Sequence, residues 1–388
     1  MLAALVATLM LTSMWSGPVS GSTGARAGRI TGPLHTKGAK VVDRQGRPVR
    51  LLGIDLTQLA PGRGDPASET GSGCTGWSSP EPIVYDNVKK WGFNSVRLTI
   101  TWANLEPTPP VMLGRFFVHR WNYDYVRAVD RAVSNITSRG MAVIMELSQD
   151  RWSPAFDRYP GRPCPGRGLP AWLYEHTRMD TITKAQAAFY ADHYKVQEQY
   201  AEAWRFVAAR YANQPLVVAA DMFNEPFISH KAMAPEQMDL WTMYHKIGTA
   251  IREEDPDIML LFQNSIDLGH VADFALQTAP PFDNIVYEFH FYASVWDPEG
   301  LEKVHRYERQ AKKWGVPLYV GEFNAFRYGN ESKPPAKHWK RDTEAMLAYF
   351  KAHHISWTYF SYNGGNTIVV PGTHKPLPDL VPVLQGGF

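Results

Sequence analysis

The sequence has no dense run of lysine and arginine, and its formal charge is only +2, which argues against nucleic acid as a partner. Its thirteen histidines show no H-E-x-x-H or comparable ligand spacing, which argues against metal-dependent hydrolysis. No cofactor is expected. No tandem repeat or low-complexity segment interrupts the chain. No G-x-G-x-x-G immediately follows the first strand-like run, which counts against a doubly wound dinucleotide-binding sheet. The apolar run Leu2–Trp15 is short of the ~20 residues that span a bilayer, so stable membrane insertion is not expected. Followed by Gly, Pro and Ser, with small residues near Gly21 and Ala25–Ala27, that run reads as a secretory leader over 1–27, although no Lys or Arg precedes it. Two cysteines, Cys74 and Cys164, fit an oxidising compartment if they pair.

What the chain does have is apolar and aromatic residues: 44% apolar, with 13 Trp, 18 Tyr and 18 Phe among 388 residues. That supplies core for one large domain over 28–388, and a surplus of ring faces of the kind that stack on sugars. A monomer is expected. Ala39–Arg50 reads as a small hairpin with a Gln-Gly turn, placed to cap the bottom of a barrel.

Strand-like runs then alternate with helical spacing. Strands are predicted over Leu51–Leu56, Asn94–Thr99, Met141–Leu147, the run from Val217 that ends in Asn224-Glu225-Pro226, Ile258–Phe262, Asn284–Tyr292, Val316–Glu322 and His354–Tyr362. Helices are predicted over Val84–Trp91, Tyr123–Arg139, Lys184–Tyr211, Met238–Glu254, Leu301–Trp314 and Lys340–His353. About eight strands alternating with helices define an α/β fold, a (β/α)8 TIM barrel, with long loops after the first and third strands. An open sheet gives the same alternation. A barrel mouth better explains why polar residues gather after so many strands. On a barrel, Cys74 and Cys164 fall in the two long loops on one face, where a disulfide would tie those loops together.

Two apolar runs end in a carboxylate: Val217-Val-Ala-Ala-Asp-Met-Phe-Asn224-Glu225-Pro226, and Tyr319-Val-Gly-Glu322. At ~31 residues per strand–helix unit, Glu225 and Glu322 lie about three units apart, on the fourth and seventh strands. Glycoside hydrolysis needs such a pair, one carboxyl to protonate the leaving oxygen and one to attack the anomeric carbon. Roughly 5 to 5.5 Å between them gives retention, and a wider gap gives inversion. Arg97 beside Glu322 would keep that carboxylate ionised, while a neighbouring charge would raise the pKa of Glu225. His290 and Tyr292 share one side of their strand and should face the two glutamates.

In this layout the chain resembles glycoside hydrolase family 5, whose cellulase-like members are retaining (β/α)8 β-glycanases. The resemblance is carried by Asn94-Ser-Val-Arg97-Leu, Asp221–Pro226, Val286–Tyr292, Gly321-Glu322 and Ile355–Phe360. It implies that Glu225 is the acid/base, Glu322 the nucleophile of a covalent glycosyl-enzyme, and Asn224 the binder of the sugar 2-hydroxyl. Two departures stand out. Ser148 occupies the place of a sugar-contacting His, and Phe360 that of a sugar-stacking Trp. Both touch the subsite at the cleaved bond, through a shorter side chain and a smaller ring.

The expected activity is that of a secreted endo-β-1,4-glucanase-like enzyme acting on a β-linked oligo- or polysaccharide. A β-mannanase and an endoglycosylceramidase-like glycosidase are alternatives. The segment Gln149-Asp-Arg-Trp, with Trp102 and Glu106-Pro107, is similar to the last of these, whereas Trp152, Phe156 and Trp172 are expected to pack the loop. A carbohydrate-binding protein without catalysis is the alternative of another class; intact Glu225, Glu322, Arg97 and Asn224 argue against it.

Overall fold

A computed structural model describes residues 26–60, 80–114, 116–150, 152–156, 168–175, 179–227, 238–265, 276–292, 300–324, 337–363 and 367–388. An antiparallel pair, β1 (His35–Lys37) and β2 (Lys40–Val42), precedes β3 (Leu52–Leu56). The chain continues through α1 (Pro82–Lys90), β4 (Ser95–Ile100), the short α2 (Trp102–Leu105) and a hairpin of β5 (Val111–Leu113) and β6 (Phe116–Val118). Next come α3 (Tyr123–Ser138), β7 (Ala142–Leu147), α4 (Ile182–Tyr190), α5 (Val196–Tyr211), β8 (Val217–Asp221), α6 (Leu240–Glu254) and β9 (Met259–Gln263). The last elements are β10 (Ile285–Phe291), α7 (Leu301–Trp314), β11 (Leu318–Phe323), α8 (Trp339–Ala352), β12 (Ser356–Tyr359) and α9 (Leu380–Gln385). Strands β3, β4, β7, β8, β9, β10, β11 and β12 pair in parallel and close on one another. The fold is a (β/α)8 barrel, as the alternation predicts.

Every residue of these eight strands is buried, which is why they read as continuous apolar runs: a parallel sheet has no solvent face. Two apolar layers follow from this. The larger lies between strands and helices, while the smaller fills the lower lumen with Ala142, Ile144, Val218, Ala219, Met259, Leu261, Val286 and Tyr319. Leu34, just before β1, and Val41 of β2 join this lower layer and plug the barrel floor. The buried charged side chains Asp55, Arg97, Glu146, Asp221, Glu288 and Glu322 belong to the barrel strands above this layer.

Helix starts are set by local side chains. Asn122 accepts from Tyr125 N at α3, and Asp239 from Thr242 N at α6, caps that each contribute about 1 kcal/mol. Pro82 opens α1, where its missing N–H is no loss.

Three sequence expectations are corrected. The helix expected over Lys184–Tyr211 is two helices, because Asp192, Tyr194 and Lys195 take left-handed φ values of 51°, 61° and 58°. Asp192 stabilises the break by accepting from Gln197 N at the start of α5 and pairing with Lys246. The hairpin expected over Ala39–Arg50 pairs mainly backwards, with β1. Its Gln-Gly turn, held by Asp43 side-chain bonds to Gln45 N and Arg47 N, closes on a single bridge from Val42 to Pro48, since Pro48 has no N–H to extend a ladder. The last barrel strand ends at Tyr359, so Phe360 lies just beyond it. Cys74, Cys164 and the apolar leader through Ala25 fall outside the described residues.

Candidate active site

Past the tip of β8 the backbone turns sharply, and Glu225 sits there with a φ of 41°, a conformation uncommon for a residue with a side chain and often found at functional positions. The turn is fastened from outside: Trp204 Nε1 of α5 donates to Met222 O at 2.9 Å, and Gln149 Nε2 donates to Asn224 O. Glu322 lies within β11, opposite His290 of β10 in the register, just after an irregularity between Phe289 and His290. One carboxylate oxygen of Glu225, one of Glu322 and a ring nitrogen of His290 lie within 4.8 Å of one another. These donors are committed to each other and to neighbouring side chains.

His290 Nδ1 meets Glu225 Oε1 at 2.7 Å. Glu322 accepts from Arg97 Nη1 at 2.8 Å through Oε1, and from the Tyr292 hydroxyl through Oε2. Burial holds the Tyr292 phenol well above its ordinary pKa, and the Glu322 charge adds to this, so Tyr292 is the donor. Asn224 Oδ1 accepts from Arg97 Nη2 at 2.9 Å, which among the described residues leaves its amide nitrogen for a ligand. Six of the sequence-predicted residues, Arg97, Asn224, Glu225, His290, Tyr292 and Glu322, thus form one connected network at the barrel mouth.

Arg97 is completely buried. Its guanidinium lies 2.8 Å from Asp55, 3.0 Å from Glu146, 2.6 Å from Asp221, 3.8 Å from Glu288 and 2.8 Å from Glu322. Burial alone would lower its pKa, but Glu146, Asp221, Asp55 and Glu322 carry it well above the ordinary value. One cation does not balance five carboxylates away from water, so protons must remain on some of them. Burial pushes Asp55 up to about 6, Arg97 opposing and Glu322 adding. It pushes Glu146 up to about 7, again against Arg97. Asp221 is raised by burial, partly offset by Arg97. Thr99 Oγ1 bridges Asp55 and Glu146 at 3.1 and 2.5 Å.

Sequence reasoning passed over Asp55, Thr99, Glu146, Asp221, Gln263 and Glu288. Their signal was available: a polar residue near the C-terminal end of a strand that is otherwise apolar.

Ser148 is buried at the mouth, its N bonded to Ile100 O and its Oγ accepting from Asp150 N, contacts that shape a turn and do not reach the two glutamates. Phe360 meets Tyr292 edge to face at 6.1 Å. Trp152 packs among Phe189, Tyr190 and Phe223, Phe156 against Tyr174, and Trp172 on Trp102, the packing role expected of them. Glu106 organises that corner by accepting from Trp102 Nε1 and contacting His119 Nδ1.

A closed parallel barrel with two facing carboxylates at its mouth defines a glycosidase-like site. The chain matches the cellulase family (glycosyl hydrolase family 5) over residues 42–366 and belongs to that family; it is a glycoside hydrolase. It is 24% identical over 373 residues to an endoglucanase of Paenibacillus polymyxa, covering 87% of this chain and 82% of the relative. Among solved structures it is similar to an endogalactoceramidase, with a TM-score of 0.71, 22% identity and coverage of 92% of this chain and 85% of the other. It is also similar to endo-glycoceramidase II from Rhodococcus sp. as its lactosyl-enzyme intermediate, with a TM-score of 0.66, 23% identity and coverage of 89% and 80%.

Proposed function

We propose that this glycoside hydrolase retains configuration by double displacement, with Glu225 as acid/base and Glu322 as nucleophile. The observation that carries this reading is that one oxygen of Glu225 and one of Glu322 lie within 4.8 Å of each other, which favours the ~5–5.5 Å carboxyl separation of retaining enzymes over the ~6.5–9.5 Å of inverting ones. In the first step the Glu225 proton passes to the glycosidic oxygen as the bond from anomeric carbon to aglycone breaks and a bond to a Glu322 oxygen forms. In the second, Glu225 takes a proton from water, which attacks the anomeric carbon and releases Glu322. Arg97 and Tyr292 hold Glu322 in line. With Arg97 bonded to its oxygen, Asn224 offers its amide N–H to the sugar 2-hydroxyl, an interaction that strengthens in the oxocarbenium-like transition state.

The substrate reading rests on what surrounds the mouth. Hairpin β5–β6 leaves the C-terminal end of β4 and so stands on the face where the glutamates open. It exposes Val111, Met112, Leu113, Phe117 and Val118, an apolar surface suited to a lipid aglycone and of no use to a soluble glucan. We therefore place release of a β-linked oligosaccharide headgroup from a glycolipid first; the structural likeness to two ceramide-glycan hydrolases supports this order. Cleavage of a β-1,4-glucan is the second reading, supported by the endoglucanase relative. Secretion belongs to both and is supported by the apolar run Leu2–Trp15. The test is hydrolysis by the purified protein of lactosylceramide in detergent micelles, carboxymethylcellulose, mannan and xylan. Release of lactose with inert polysaccharides supports the first reading, and the converse pattern supports the second.

A further inference from the structure

Successive odd or even residues of a strand share a face, so β10 sends Glu288 into the lumen on the same side as His290. Glu288 is wholly buried, with Oε1 3.6 Å from His290 Nε2 and 3.8 Å from Arg97 Nε. Neither of its oxygens has a hydrogen-bond partner among the described residues. A buried carboxylate that accepts no hydrogen bond is costly, even with cationic groups nearby. Its place is made by Gly321, one residue before Glu322: a Cβ there would stand 1.6 Å from Glu288 Oε1 and 2.6 Å from its Cδ. Gly321 is not among the residues with positive φ, so it is the room for Glu288, and not a backbone conformation, that requires a glycine.

His290 consequently has acceptors at both ring nitrogens. Nδ1 faces Glu225 at 2.7 Å and Glu322 at 3.6 Å, while Nε2 faces Glu288 at 3.6 Å and the Gln263 amide at 3.3 Å. A half-turn of that amide gives its unpartnered Oε1 a bond from Nε2–H. A neutral imidazole would present a lone pair to one of these groups, whereas an imidazolium presents N–H to both. Burial by itself disfavours the charge, but Glu322, Glu225 and Glu288 overcome it and hold the His290 pKa well above its ordinary value. Burial, with Asp221, pushes Glu288 up to about 7. The other groups facing the pair are Arg97, Asp221 and the hydroxyls of Tyr244 and Tyr319, both kept neutral by burial.

We propose that Glu288 is a positioning residue: standing against the far nitrogen of His290, it keeps the imidazole doubly protonated, so that Glu225 Oε1 always receives an Nδ1–H. The proton Glu225 donates is then confined to Oε2, the oxygen His290 leaves open to the leaving group. Were His290 neutral with Nδ1 accepting, Oε1 would carry the proton and hold it on the ring, away from the aglycone. This rests on Glu225 being the acid/base.

The test is Glu288→Gln, which keeps the shape and removes the charge. In protein labelled with 15N-histidine, the His290 signals (identified by their loss in His290→Gln) are expected to report an imidazolium above about pH 7, where Glu288 is itself charged, in the parent and a neutral ring there in Glu288→Gln. With substrates, kcat is expected to fall roughly tenfold or more for poor leaving groups, part of the ~10²–10⁴-fold a general acid supplies, with KM and activated aryl glycosides little changed. Gly321→Ala should lower the Tm, and Gly321→Ala/Glu288→Ala should recover the Tm but not the activity on poor leaving groups. An unchanged His290 titration in Glu288→Gln, or recovery of both properties in the double variant, would overturn the proposal. The nitrogen shifts are read without substrate, so a failure of the Glu225 assignment, seen as equal losses on all leaving groups in Glu225→Ala, is distinguishable from a failure of this one.

Discussion

Arg97 Nη1 donates at 2.8 Å to Asp55 Oδ2 and also lies 2.8 Å from Glu322 Oε1, so one fully buried nitrogen couples the first barrel strand to the proposed nucleophile on the seventh. The same guanidinium organises the mouth and compensates its charge. Arg97→Met is expected to lower folding stability by about 3–5 kcal/mol, the usual result of stranding a buried ion's partners, and to remove activity. Arg97→Lys should retain part of the stability but little activity, because one ammonium cannot reach Asp221, Asn224 and Glu322 together. Denaturant melts and kcat/KM measure both; near-parental activity in Arg97→Lys would contradict the role.

Glu225 is expected to matter in proportion to the difficulty of the leaving group. Glu225→Ala should reduce kcat/KM by ~10²–10⁴ for alkyl or sugar aglycones and far less for dinitrophenyl glycosides, which leave without a proton. A series of aryl glycosides checks this, and a uniform loss would remove Glu225 from the acid role.

Stability should fall as pH rises through neutrality. Asp55 is raised to about 6 and Glu146 and Glu288 to about 7, against ordinary values of about 4. Between these limits the folded state holds protons the unfolded chain has released. Their stabilisation is therefore complete below about pH 4 and is lost as pH passes 6 to 7. Raised His290 acts in the same sense, at higher pH. Glu308 acts oppositely: burial would raise it, but His353, Tyr349 and Lys312 bring it down to about 2, so its contribution is lost only in strong acid and is small at a partly solvated site. The Tm is expected to peak between about pH 4 and 6 and decline towards 8, less steeply in Glu146→Gln. A Tm that rises from pH 5 to 8 would contradict this.

Cys74 and Cys164 are expected to be linked in exported protein, tying the two long loops together. Non-reducing peptide mass spectrometry should find the cross-linked pair, and two alkylatable thiols would remove it.

The barrel and the glutamates were legible because parallel strands buried on both faces leave long apolar runs, and a carboxylate ending such a run is conspicuous. His290 and Tyr292 followed from strand alternation, and Arg97 from the family-like segment Asn94-Ser-Val-Arg97-Leu. The charge cluster was less legible: Asp55, Glu146, Asp221 and Glu288 each look like a solvated strand end in one dimension, and only barrel closure turns them all onto Arg97. Gly321 gave no local signal either, since its role is defined by a side chain on the neighbouring strand. The break at Asp192–Lys195 contains neither Gly nor Pro, and helical spacing runs through it undisturbed.

The central claim is retention through attack by Glu322. Proton NMR of the first product formed from a β-linked aryl lactoside or cellobioside, recorded before mutarotation, reads the anomer directly. The β-anomer should appear first, with no turnover in Glu322→Gln; an initial α-anomer, or undiminished turnover in that variant, would contradict the account.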